Sequence, residues 1–119
     1  MNSLAKVTGA LLFVFSGAVA DVAAADDAAD IRALIGREFD HPGAVVVSDP
    51  IVIERGFALV DWVQGEKGGR ALLRKKDGRW ALMLCAGDEI RAAGGMVKAG
   101  VPQPIANALA SRLASAESR

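Results

Sequence analysis

Soft metal ligands are scarce in this chain. It has one thiol, Cys85, one imidazole, His41, and three thioethers, of which Met83 and Met96 lie in the body of the sequence. Thiolate and thioether suit Cu(I), while imidazole suits Cu(II) or zinc. Met83 and Cys85 stand two residues apart in "ALMLCAGD". Strand alternation predicts them on one sheet face, roughly 7 Å apart at about 3.4 Å per residue, so they could share an ion only if their side chains converge. No CxxC, HxxxH or Met-rich run is present. The first reading of both is therefore packing, free cysteine being among the most buried residue types. His41, in "FDHPG", follows a helix end and reads first as a partner for terminal carbonyls. As a nucleophile Cys85 would need a base beside it, and nothing places His41 there. No Ser–His–acid arrangement is recognisable either, and the chain is not expected to be an enzyme.

The elements that must position these groups follow from periodicity and turn chemistry. In "DDAADIRALIGREFDHPG" the residues Ile31, Leu34, Ile35 and Phe39 form one helical stripe, with Asp26 or Asp27 as cap and Pro42-Gly43 as stop. The stretch from Ala44 to Gly87 is rich in β-branched and aromatic residues and is cut by Arg55-Gly56, "GEKG" and Asp77-Gly78. These predict four antiparallel strands, roughly 50–55, 57–64, 69–76 and 79–86. Beyond them Asp88 reads as an N-cap, Gly94-Gly95 as an interruption, and Pro102 and Pro104 as the first turn of a last helix. That helix carries an Ile105–Leu109–Leu113 stripe.

Two-residue turns pair Ile53 with Ala58 and Leu73 with Leu82, and a four-residue connection puts Trp62 opposite Ala71. One face then collects Ile51, Ile53, Ala58, Val60, Trp62, Ala71, Leu73, Trp80, Leu82 and Leu84, with Lys75 the exception. This is the predicted core and the dock for the first helix. The opposite face mixes Val52, Phe57, Leu59, Val63, Leu72, Met83 and Cys85 with Asp61, Arg70 and Arg74. Asp61 lies diagonal to both arginines, an ion pair in waiting. The face is too apolar to be left to water. Its residues Asp61, Arg70, Arg74, Phe57 and Leu72 form a candidate partner or ligand surface. Cys85 falls opposite Arg70 and is expected to be a protected thiol in a monomer. The expected fold is α+β: an N-terminal helix on a four-stranded antiparallel meander, a cystatin-like layout, followed by C-terminal helices.

The chain opens with one cation, Lys6, then an apolar run from Val7 to Ala20 that ends in small residues, then acids. That order is the pattern of a secretory signal peptide over 1–20, with an alternative cut as late as 25. The run is shorter than the roughly 20 residues a spanning helix needs, so no membrane anchor is expected after cleavage. Residues 21–119 are expected to form a single small α+β domain. Only Lys6 of the 14 bases precedes the cut, which leaves a near-neutral chain without a long basic run. Neither nucleic acid nor an anionic membrane surface is therefore an expected partner. The cations around Asp77-Gly78 read as a solvated hairpin tip, and one cysteine cannot make an internal bridge.

"GFALVDWVQGEKGGRALLRKKDGRWALMLCAGD" followed by "AGVPQPIANALASRLASAE" resembles the small exported bacterial proteins called copper uptake system-associated proteins. The resemblance rests on Trp62, the strand from Gly68 to Leu73, Trp80, Leu84 to Asp88 and the "AGVP" before the last helix. It implies a periplasmic, non-catalytic accessory role in copper uptake, with other periplasmic copper-uptake proteins as partners and copper as the associated ion. His/Met copper-chaperone motifs are absent from the sequence. Cys85, Met83 and His41 are the candidate metal ligands. The competing reading is a carrier of a small molecule or metal, with a pocket on the mixed face floored by Cys85 and Met83. A thiol-dependent enzyme using Cys85 comes last.

Overall fold

The computed structural model describes residues 25–119, so the segment 1–20, expected to be a signal peptide, lies outside the described residues. The chain separates into two compact units, Met1–Asp30 and Ile31–Arg119. Of the first unit only 25–30 are described, and they are helical. Helix α1 covers 25–39, so Asp26 and Asp27 lie inside it rather than in front of it as caps. It ends where expected. His41 and Ala44 close a tight turn through two backbone hydrogen bonds, with Gly43 at φ 78°.

The sheet is an antiparallel meander in the order β1-β2-β3-β4, with β1 Val47–Glu54, β2 Phe57–Gln64, β3 Lys67–Lys76 and β4 Arg79–Ala86. Arg55-Gly56 and Asp77-Gly78 turn the first and last hairpins with both residues at positive φ, as tight hairpins require. The middle turn is also two residues, Gly65-Glu66, not the four-residue connection expected from "GEKG". The β2/β3 pairing therefore shifts by two. Trp62 faces Gly69 instead of Ala71, and Asp61 faces Arg70 directly. A shift of two preserves every side-chain direction, so the face assignments of β2 and β3 stand.

β4 breaks the pattern. Leu73 pairs with Leu82, but the next residue, Leu72, pairs with Leu84, and Ala71 pairs with Cys85. Met83 is the extra residue of a bulge, and a bulge reverses the alternation that follows it. Leu84 leaves the predicted core face and is exposed, while Cys85 arrives beside Ala71 on the α1 side.

Both faces carry a core. Ile31 and Ile35 of α1 pack with Ala58, Val60, Ala71, Leu73 and Trp80, joined by half-buried Leu34, Ile51, Ile53, Trp62 and Leu82. On the other face Val52, Leu59 and Leu72 meet Ile90, Met96, Val101, Ala106, Leu109 and Leu113. The last six come from a 3-10 turn at Asp88–Ile90, helix α2 Ala93–Lys98, helix α3 Gln103–Glu117, and the link before α3. Burying one large aliphatic side chain contributes about 1.5–3 kcal/mol, so each cluster is a substantial anchor. Gly94-Gly95 does not interrupt α2 but lies inside it. A Cβ on Gly95 would overlap the Glu89 carbonyl, so glycine permits the close approach of α2 to the 3-10 turn. Pro102 and Pro104 open α3 as the sequence predicts.

Candidate functional site

Two places gather chemistry-bearing groups. The first is an apolar cleft of ≈ 100 Å³ between α1 and the sheet, lined by Ile35, Phe39, Val46, Trp62, Gln64, Ala71 and Cys85. It forms because α1 stops at residue 39 while β2 continues to Gln64. Gln64 then ties the ends together: its amide donates to the carbonyls of Phe39 and Ala44 at 2.8 and 2.9 Å, and lies 3.5 Å from His41 Nε2. Trp62 reaches across the bare backbone of Gly69, where any Cβ would come within 3.0 Å of the indole ring. Its indole N–H is buried without a hydrogen-bond partner. Cys85 Sγ belongs to a free and exposed residue. Partial burial still pushes its pKa upward, so the neutral thiol dominates at neutral pH.

The second place is a charged cluster at the far end of α3. Arg70 on β3 holds three carboxylates. Its Nη1 donates to Asp88 Oδ1 at 2.6 Å and its Nη2 to Glu117 Oε2 at 3.2 Å, while Nε lies 3.0 Å from Asp61 Oδ1. That last contact is ionic but not aligned as a hydrogen bond. Arg91 adds a two-pronged bond from Nε and Nη2 to Glu117 Oε1, at 3.0 and 2.7 Å. Asp88 therefore serves Arg70 and caps no helix, since its 3-10 turn has no side-chain cap. Three acids face two arginines, so one proton completes the balance. Below about pH 6 Asp61 takes it: burial, then the hydrogen bond and charge of Glu117, push its pKa up to about 6 against Arg70 and Arg91. The same hydrogen bond from Asp61, with those from Arg91 and Arg70, pulls Glu117 down to about 2 despite its partial burial.

The residues singled out from the sequence are therefore dispersed. Cys85 lines the cleft on the α1 side, Met83 packs against the C-terminal helices on the other side, and His41 sits in the exposed turn after α1. The bulge is the physical reason that Met83 and Cys85 do not share a face. Cys85 lies opposite Ala71, and Ala86 takes the place opposite Arg70. Its exposure corrects the expectation of a protected thiol. Among the described residues no group of three or more His, Cys, Asp or Glu could hold a metal ion. Phe57 and Leu72 lie under the C-terminal helices, Asp61 and Arg70 are locked in the cluster, and Arg74 alone of that set is exposed. The mixed face is filled by the chain's own helices, which moves the candidate pocket to the other side of the sheet. Sequence reasoning missed Gln64, Asp88, Arg91 and Glu117. Their partners are 18 to 47 residues away in the chain, beyond the reach of local patterns.

Comparisons with known proteins find no matching family model, no similar curated protein and no similar solved structure. No helix among the described residues is long and apolar enough to cross a membrane.

Proposed function

We propose that this chain is an exported, non-catalytic accessory protein of copper uptake, working in the periplasm at the cleft that ends in Cys85. The resemblance in the sequence supplies the copper context. The observation that supports the site is the β4 bulge, which turns the one thiol out of the packed face and into an open apolar cleft. A soft thiolate suits Cu(I), yet one sulfur cannot fill its coordination sphere. The reading is therefore a weak, shared site, with a partner protein of the same uptake system bringing the remaining ligands. Copper binding at a thiol releases its proton, and the raised pKa of Cys85 makes the site favour higher pH.

The carrier reading loses support at the cleft, which holds ≈ 100 Å³ against about 300–1,000 Å³ for drug-sized organic ligands. A larger depression beside Asp61, Arg70 and Asp88, ≈ 420 Å³, is open to solvent and lined mostly by glycines and charged groups rather than by apolar walls. A thiol enzyme is disfavoured as well, because a catalytic cysteine needs its pKa lowered and burial raises this one.

Native mass spectrometry with one equivalent of Cu(I) tests the proposal. A fraction of the wild-type chain should carry one ion, a larger fraction above pH 8 than at pH 6, and Cys85→Ser should carry none. An adduct retained by the serine variant would remove the cleft from the reading. No adduct at any pH would overturn copper handling by this chain itself.

A further inference from the structure

The basic residues around Asp77-Gly78 are not spread evenly around their hairpin. Lys76 and Arg79 face each other directly across β3 and β4, and Arg74 stands two residues back on the same face, opposite Ala81. All three are exposed. None of their side chains has an ion-pair or hydrogen-bonded partner among the described residues. Like charges placed directly opposite each other across strands are destabilising. The neighbouring turn adds Arg55, 74 % exposed beside Glu54, and is tied to this hairpin by the Lys75 N–H to Gly56 carbonyl bond of 2.7 Å. Glu54 is engaged by Arg55 at 3.4 Å and by Arg112 at 2.9 Å. That leaves Asp77 as the one acid within the β3–β4 turn. A nearly neutral chain thus concentrates uncompensated positive charge at one end of its sheet.

We propose that this end is a docking surface for an anionic lipid bilayer. Residues 74–79 are exposed throughout, so they present a protruding edge rather than a groove. An edge of this kind fits a flat polyanionic surface better than an extended peptide, which binds by lying in a groove or pairing with a strand. The attraction is short-ranged, falling off within a Debye length, so only the tip needs to touch. The cleft lies at the other end of the strands. The seven steps of β2 from Phe57 to Gln64 span roughly 24 Å. Docking through Arg74, Lys76 and Arg79 leaves Phe39, Gln64 and Cys85 facing away from the membrane. The inference rests on charge placement alone and is independent of copper.

Vesicle co-sedimentation of the full chain tests it, comparing phosphatidylcholine vesicles with vesicles containing phosphatidylglycerol. Binding should require the anionic lipid and should weaken steeply with salt. The triple variant Arg74→Gln/Lys76→Gln/Arg79→Gln should lose on the order of a hundredfold in partitioning, from the contribution of each surface cation. Its thermal melt should match wild type or lie slightly above it, because the three side chains are exposed and the Lys76–Arg79 repulsion is removed. Equal partitioning of the triple variant, or equal binding to both vesicle types, would overturn the proposal. Salt-sensitive binding to an acidic polypeptide or a duplex oligonucleotide, stronger than to anionic vesicles, would overturn it too and assign the tip to that polyanion.

Discussion

On one side of the sheet the last turns of α1 lie over Ala58, Val60, Ala71 and Leu73. On the other, α2, α3 and a 3-10 turn lie over Val52, Leu59 and Leu72. The first cover is short and stops before the strands do, which leaves the Cys85 cleft. The second extends along the sheet and ends in the Arg70 cluster, where its last turn is fastened by charge. An apolar stripe is enough to seat a helix. Holding the end of that helix over a sheet that has turned polar takes ion pairs, and those pairs bring a shared proton.

The largest effect should come from the sealed side. Leu113→Ala removes a fully buried side chain from α3 and should cost about 2–5 kcal/mol in a urea titration. Phe39→Ala on the open side should cost much less, because Phe39 is 38 % exposed. Similar costs for the two would erase the contrast between the faces.

Arg70→Ala comes next. It leaves Asp61, Asp88 and Glu117 with Arg91 as their remaining cation, and breaking such a partly buried network should cost about 1.5–3 kcal/mol. A loss below about 1 kcal/mol would place the cluster among ordinary surface pairs.

The pH dependence is smaller and has two limbs. Glu117 is depressed from 4.5 to about 2, so its contribution grows as pH rises through that window. Asp61 is raised from 3.8 to about 6, so the folded state holds a proton that the unfolded state has lost, and stability falls as pH rises from 3.8 to 6. Together they place this cluster's optimum near pH 4. Asp61→Asn imitates the protonated acid and should abolish the falling limb in thermal melts taken across that range. A limb that survives the substitution would assign the falling stability to another group.

Cys85→Ser should be the mildest of all for stability, within about 0.5 kcal/mol, as expected of an exposed position. The wild-type thiol should react with a thiol reagent in the folded state, and faster as pH rises. A thiol that reacts only on unfolding would close the cleft and return Cys85 to the packed interior.

Much of this layout is legible in the sequence because it is written in short-range signals. Ile31, Leu34 and Ile35 share a helical period. Arg55-Gly56 and Asp77-Gly78 demand tight turns, and alternation from Ala58 to Trp62 declares a face. The Asp61–Arg70 pair was visible too, although diagonal rather than direct, because a two-residue error in the middle turn conserves parity. The site was not legible, for two reasons. The bulge at Met83 carries no glycine or proline to announce it, and it alone decides which face receives Cys85. The charged cluster depends on where the far end of α3 lands, a matter of tertiary packing that places Glu117 beside residues of β2 and β3.

The spare residue at Met83 also bears on how this chain should be aligned with others. Leu82 pairs with Leu73 and Leu84 pairs with Leu72, so the ladder on either side of Met83 is already in step. A relative lacking that one residue would keep each cross-strand pair, hold its thiol over the same alanine, and lose only a methionine from the helical side. An alignment that forbids a gap there would set Cys85 against the wrong column and hide the correspondence. The place to allow a single-residue deletion is the middle of the last strand, where gaps are ordinarily penalised most heavily.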